Sequence, residues 1–270
     1  MNAADNVTGS PPADSQANAA VLTERRGRIL IITLNRPDQR NAVNAAVSRC
    51  IAAALDELDA DAGLSVGVLT GAGKGFCAGM DLKAFVAGER PHVEGRGFAG
   101  ITQRAAEKPL IAAIEGFAVA GGLEVALACD LIVAARGARL GIPEVKRSLV
   151  AAGGALLRLP RTLPRNVAME LALTGELIEA ERAHALGLVN RLTEPGEALD
   201  AALGLAETIA ANGPLALAAT KRIMVELAGW RDAEFFAHQR EIIDPVFNSE
   251  DAREGAAAFA ERRDPVWKGR

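Results

Sequence analysis

The chain has 270 residues, enough for one large domain, or one domain with a small appendage. Half of its residues are hydrophobic, and its formal net charge of −4 comes from acidic and basic residues mixed throughout, which argues against nucleic acid or an anionic membrane as partner. Three widely spaced cysteines, Cys50, Cys77 and Cys129, argue against a disulfide framework and for a reducing cytoplasm, and no Cys/His spacing resembles a zinc site.

Residues 1–20 are polar and rich in Pro, Ala and Asn, with neither the basic start nor the apolar stretch of a signal peptide; a disordered tail is expected there. From Val21, VLTERRGRILIITLN reads as two strands around a turn at Gly27. Asn44 is placed to cap a helix whose apolar residues Val47, Ile51, Leu55 and Leu58 recur at helical spacing. SVGVLTG is a short buried strand ending at Gly71. A Gly-rich loop follows, and residues 88–100 are polar and poorly patterned. LIAAIEG is another apolar strand closed by glycine, GGLEVALACD opens a short helix at Gly121–Gly122, LIVAAR is a third apolar strand and ARLGIPE a fourth short one. After Gly153 the remaining segments carry helical spacing, down to a last helix capped by Ser249 and ending near Pro265. The longest apolar stretches are interrupted by Glu124 and Asp130, so no membrane span is expected. The pattern predicts one α/β body, residues 21–200, with a helical region over 201–270.

Several stretches invite a chemical reading. GAGKGFCAGMDLKAF is neither a Walker A loop nor a dinucleotide fingerprint, but its small residues expose backbone N–H groups that could hold an oxygen. Taken alone, it reads as an ordinary turn. Cys77 has no histidine nearby in sequence and reads as a buried thiol; no Gly-x-Ser-x-Gly elbow exists. Glu124 sits in the first turn of a helix among Leu123, Val125, Ala126 and Leu127. A carboxylate there either complements the helix dipole or serves a buried site. Glu144, after a short strand and Pro143, would ordinarily be a solvated loop residue. Two such carboxylates facing one pocket can supply a base and an acid.

RPDQRNAV, GAGKGFCAGMDLK, EGFAVAGGLEVALACD, LGIPEV and TGELIEAERAHALGLVNRL occur in an order that resembles the crotonase superfamily, the enoyl-CoA hydratase/isomerase family; EDAREGAAAFAERRDPVW is similar to the family's last helix. The resemblance covers about residues 21–268. It implies a spiral of ββα units with a C-terminal helical trimerisation region, a homotrimer or dimer of trimers, and an acyl-CoA thioester as substrate. It also implies an oxyanion hole made by the backbone N–H groups of Met80 and Gly121. Positions along the CoA match Arg40, Ala42, Ala78, Met80, Asp81, Leu82, Lys83 and Gly121. Hydratases of the family keep both glutamates, so Glu124 and Glu144 imply addition of water to a trans-2-enoyl-CoA in acyl-CoA metabolism, with no metal or redox cofactor. An isomerase or acyl-CoA hydrolase on the same scaffold is the alternative. The family's RNA-binding branch relies on a lysine-rich first helix, and here that helix carries Asp56, Glu57, Asp59 and Asp61. One departure stands out. After Glu144, Ser148 replaces a usual glycine, Ala151 a usual proline, and the loop is one residue shorter, which leaves room for a branched or bulky acyl chain.

Overall fold

The structure, a computed structural model, describes residues 19–270; apart from Ala19 and Ala20, the expected tail lies outside the described residues. Gly27, at φ 56°, turns the chain back, so β1 (Val21–Arg26) pairs antiparallel with β2 (Ile29–Leu34). Next, β3 (Val66–Gly71) lies parallel to β2, and a small hairpin of β4 (His92–Val93) and β5 (Gly97–Phe98) stands apart. β6 (Leu110–Ile114) joins β3, and β7 (Phe117–Val119) leaves for a second sheet. β8 (Leu131–Ala135) returns beside β6, while β9 (Arg139–Gly141) pairs parallel with β7. β10 (Ile178–Glu179) runs antiparallel to β9, and β11 (Arg191–Thr193) closes the large sheet beside β8. Successive strand pairs thus feed two sheets, ordered β1-β2-β3-β6-β8-β11 and β10-β9-β7.

The helices are α1 (Ala45–Ala60), α2 (Leu82–Val86), α3 (Gly121–Leu127), α4 (Ala155–Thr162), α5 (Arg165–Thr174), α6 (Ala180–Ala185), α7 (Ala198–Ala210), α8 (Pro214–Glu226), α9 (Phe235–Phe247) and α10 (Glu250–Glu261). Strands covered on both faces read as near-continuous apolar runs: β6 and β8 are wholly apolar, and β2 and β3 are broken only by Thr33 and Thr70. Alternation still assigns each side chain a face. Leu30, Ile32 and Leu34 join the main core with Val47, Ile51, Leu55 and Leu58 of α1. Ile29 and Ile31 turn the other way, against Ala202, Leu203, Ala206 and Ala210 of α7. Full burial of one such large side chain contributes about 2 kcal/mol. Asn44 caps α1 as expected, its side chain accepting from Val47 N.

The packing of α7 moves one expected boundary. A division at residue 200 would cut this helix, whose small residues lie flat on the sheet. The helices that stand away from the sheet begin at Pro214: α8 has no fully buried residue and α9 has only Ile242. Lys221 fastens α8 to the body by donating to Asp130 at 2.7 Å and to the Lys108 carbonyl at 2.9 Å. Ser249 caps α10, accepting from Ala252 N. Met224, Val225, Phe236, Phe247 and Phe259 are exposed on these helices. Among the described residues, no single helix is long and apolar enough to cross a membrane.

Candidate active site

Two turns meet to form the site. The first is the Gly-rich loop after β3. Asn41, itself at φ 55° and buried, donates through Nδ2 to the carbonyls of Ala72 (2.9 Å) and Gly75 (2.8 Å). The Cys77 thiol donates to the Asn41 carbonyl at 3.1 Å and accepts from Gly79 N. Complete burial pushes this thiol's pKa up to about 12, so it is a fastening of the loop and not a nucleophile. Val43 N donates to the Gly79 carbonyl at 2.8 Å, and Asp81 N donates to the Val43 carbonyl at 2.9 Å. Val43 therefore occupies the groups on either side of Met80, and the pleat turns Met80's own N–H to the opposite side.

The second turn enters α3 through Ala120, held at φ 54° and ψ −131°, a conformation that costs a non-glycine residue on the order of 1–3 kcal/mol. Leu123 and Glu124 donate to the Ala120 carbonyl, while the amides of Gly121 and Gly122 have no intrahelical acceptor. Gly79 lets the two turns touch. A Cβ there would lie 2.9 Å from Gly121 N, and φ at Gly79 is +92°. Its missing side chain lets the backbone beside Met80 approach Gly121, and both residues line one cavity.

Glu124 is only 4% exposed. Its Oε1 accepts from Ala155 N at 3.1 Å, and Gly153 N donates to the same carboxylate. Gly153 has to be glycine for this approach, since a Cβ there would sit 2.6 Å from Glu124 Oε2. Burial raises the Glu124 pKa; the two amides and the nearby Arg158 charge oppose the rise without cancelling it. Arg158 spans the clamp, donating to the Thr102 carbonyl at 2.7 Å and to the Gly153 carbonyl at 3.3 Å.

Glu144 lies on a short 3-10 segment, Pro143–Arg147, after β9. Its Oε2 is buried and makes no hydrogen bond to the protein. Burial raises its pKa, its own amide lowers it, the Glu124 charge raises it again and Arg147 lowers it, for a net rise. The pair is thus electrostatically coupled. Both glutamates line one cavity of about 760 Å³ together with Met80 and Gly121. Two carboxylates of raised pKa in a cavity that Met80 and Gly121 also line can move protons beside backbone donors.

Of the positions singled out in the sequence, Arg40, Ala78, Met80, Leu82, Gly121, Glu124 and Glu144 line this cavity. Ala42, Asp81 and Lys83 do not. The Ala42 carbonyl accepts from Arg36, and Asp81 caps α2 while pairing with Arg36 at 2.9 Å. Lys83 is exposed in the first turn of α2. The sequence reading passed over His92 and Phe98, which the featureless stretch before β6 delivers to the cavity as an edge-to-face pair with ring centroids 5.9 Å apart. It also passed over Asn41, although an Asn between Arg40 and Ala42 is a residue suited to a positive φ. Among the described residues, no three His, Cys, Asp or Glu side chains are grouped to hold a metal ion.

The enoyl-CoA hydratase/isomerase family model matches residues 24–270. The chain belongs to this family. A solved enoyl-CoA hydratase of Mycobacterium marinum is 66% identical, with a TM-score of 0.92 over 94% of this chain and 100% of that one. An enoyl-CoA hydratase of Mycobacterium tuberculosis is 42% identical over 96% of this chain and all of its own. A carnitinyl-CoA dehydratase of Salmonella enteritidis is also 42% identical, over 91% of this chain and 97% of its own. The fold is that of the crotonases. The segment after Glu144, where the sequence was expected to depart from the family pattern, is a 3-10 turn. Ser148 ends the 3-10 segment at φ 54°, the left-handed conformation that glycine adopts without strain.

Proposed function

We propose that this member of the enoyl-CoA hydratase/isomerase family adds water across the double bond of a trans-2-enoyl-CoA to give a 3-hydroxyacyl-CoA. The observation that carries the reading is the pairing of two buried, pKa-raised carboxylates, Glu124 and Glu144, with the Met80 and Gly121 amides in one cavity.

The thioester oxygen accepts hydrogen bonds from Met80 N–H and Gly121 N–H, which draws electrons from C3. Glu124, ionised, takes a proton from water as the oxygen bonds to C3. The enolate charge gathers on the thioester oxygen, where one amide donor is typically worth about 3–4 kcal/mol of barrier. Glu144, protonated, delivers its proton to C2. The two carboxyls end with their proton exchanged, and solvent resets them. No cofactor enters this scheme; CoA arrives as part of the substrate. Arg40, Ala78 and Leu82, matched to positions along the CoA, line the cavity, as do Arg139, Arg147 and Lys146, the last paired with Glu176. The names hydratase and dehydratase denote addition and removal of water, opposite directions of one reaction type that the same pair of carboxyls supports.

We also propose self-association through the helical region, as a homotrimer or dimer of trimers in the cytoplasm. Supporting it are the large apolar side chains that α8–α10 expose, Phe236, Phe247 and Phe259 among them.

The test is to incubate the protein with a trans-2-enoyl-CoA in heavy-oxygen water. Loss of the conjugated thioester absorbance with label at C3 supports hydration. Migration of the double bond, or free CoA, refutes it.

A further inference from the structure

Gly121, whose amide is one of the two proposed donors, is gripped from two sides. A Cβ built on it would lie 2.6 Å from Phe98 Cε1 and 2.7 Å from Phe98 Cζ, and 3.5 Å from Gly79 Cα. The edge of the Phe98 ring therefore fills the place that a side chain would take. Phe98 is buried, lines the cavity, and has His92 set edge-to-face against it. The segment that carries this ring is firmly tied. Ser48 of α1 donates through Oγ to the Pro91 carbonyl at 2.9 Å, and Ala99 N donates to the same carbonyl at 3.0 Å. Arg96, buried beside α1, pairs with Asp56 and donates to the Arg104 carbonyl at 3.2 Å. Arg158 of α4 holds the Thr102 carbonyl. A ring fixed at so many points cannot retreat from Gly121.

We infer that Phe98 is a positioning residue for the hydration step: its ring wedges Gly121 so that the amide stays aimed at the thioester oxygen. The inference rests on the hydratase reading and adds to it a side chain that acts through the donor. The peptide joining Ala120 to Gly121 follows a strained turn, with Ala120 at φ 54° and ψ −131°. A residue stays in such a conformation only where its surroundings over-determine it. The carbonyl of this peptide is held by Leu123 and Glu124 N–H, and its Gly121 end is held between Phe98 and Gly79. Phe98→Leu keeps the site apolar but withdraws Cε1 and Cζ, the atoms that meet Gly121. The peptide then has room to rotate out of its strained angle, and the amide leaves its aim.

The test reads the thioester carbonyl directly. Butanoyl-CoA carrying carbon-13 at its carbonyl binds without turnover, and its infrared carbonyl stretch falls when the oxygen accepts hydrogen bonds. The stretch should drop on binding to the wild-type protein. Phe98→Leu should lose about half of that drop or more, with binding changed by less than about threefold. Its kcat for trans-2-butenoyl-CoA should fall on the order of ten- to a hundredfold, short of the loss of a whole donor, with KM within about threefold. Gly121→Ala should be impaired for the opposite reason, because its methyl meets the Phe98 ring. Joined with Phe98→Leu, that methyl enters the vacated space, and kcat should exceed that of the poorer single variant by about tenfold. A Phe98→Leu protein that keeps the full drop overturns the wedge, whatever its kcat. So does a double variant no faster than the poorer single one. A drop that Phe98→Leu diminishes, in a protein whose wild type hydrates no enoyl-CoA, overturns the hydratase reading and keeps the wedge.

Discussion

Gly79→Ala tests the join between the two turns. The added methyl carbon would stand 2.9 Å from Gly121 N, 3.0 Å from the Val119 carbonyl oxygen and 3.0 Å from Ala120 Cβ. Ordinary nonbonded separation is roughly 3.5 Å, so the overlap with the amide is about 0.6 Å. None of the three atoms can swing aside by changing rotamer. The Gly121 amide has to retreat by about the overlap, which takes it out of the narrow distance range in which it holds an oxyanion. Loss of one such donor costs on the order of a hundred- to a thousandfold in kcat. Stability also falls, by about 1–2 kcal/mol for a side chain at positive φ. Gly88→Ala separates the two effects: φ there is +94°, but nothing lies within 4 Å of the new Cβ. The assay is the decay of the conjugated enoyl-thioester absorbance at saturating substrate, with thermal unfolding of both variants alongside. Gly88→Ala should lose stability and keep kcat; Gly79→Ala should lose both. A folded Gly79→Ala protein within threefold of the wild-type kcat would refute the convergence of Met80 and Gly121 on one oxygen.

Three further outcomes follow from the charges. The rate should be bell-shaped in pH, with an acid limb above the ordinary carboxylate value of 4.5 because burial raises both glutamates; Arg158→Met should move that limb to higher pH, and Glu144→Gln should abolish the alkaline limb, both read from kcat/KM profiles. A carboxyl whose folded pKa lies above its unfolded one costs no stability below the unfolded value and the full amount above the folded one. Glu124→Gln should therefore be more thermostable than wild type at about pH 8, with the gain vanishing below about pH 4; a gain independent of pH contradicts the burial argument. Lys221→Met should destabilise the protein by about 1–3 kcal/mol in denaturant titration, because it leaves the part-buried Asp130 with only Leu110 N as donor, and Asp130→Asn in the same background should recover part of the loss.

The sequence made some of this legible and hid the rest for physical reasons. Strands β2, β3, β6 and β8 are recognisable because strands covered on both faces are almost wholly apolar and are followed by polar or glycine residues. β7, β10 and β11 are two or three residues long, too short to show a period, and their pairing is decided by partners far along the chain. Glu124 drew notice because its neighbours are apolar. Its clamp did not, because Gly153 and Ala155 lie about thirty residues away and hold it through backbone amides, which any sequence possesses. Lys83 matches a position along the CoA by resemblance; its place outside the cavity depends on where α2 points, and no local pattern records that. The helical region was legible as helix, but its boundary was not: α7 and α8 both open on small apolar residues at helical spacing, and only α7 packs on the sheet.

The strand order of the large sheet bears on how the protein is made. Read across the sheet, β1, β2, β3, β6, β8 and β11 follow the direction of synthesis without an inversion. Each strand of this sheet, as it leaves the ribosome, meets an edge that earlier residues have already laid down, and none has to wait for a later strand to fill a gap between two others. Growth by addition at one edge keeps the exposed template to a single strand at a time, the condition under which a nascent chain has the least opportunity to pair with the wrong neighbour.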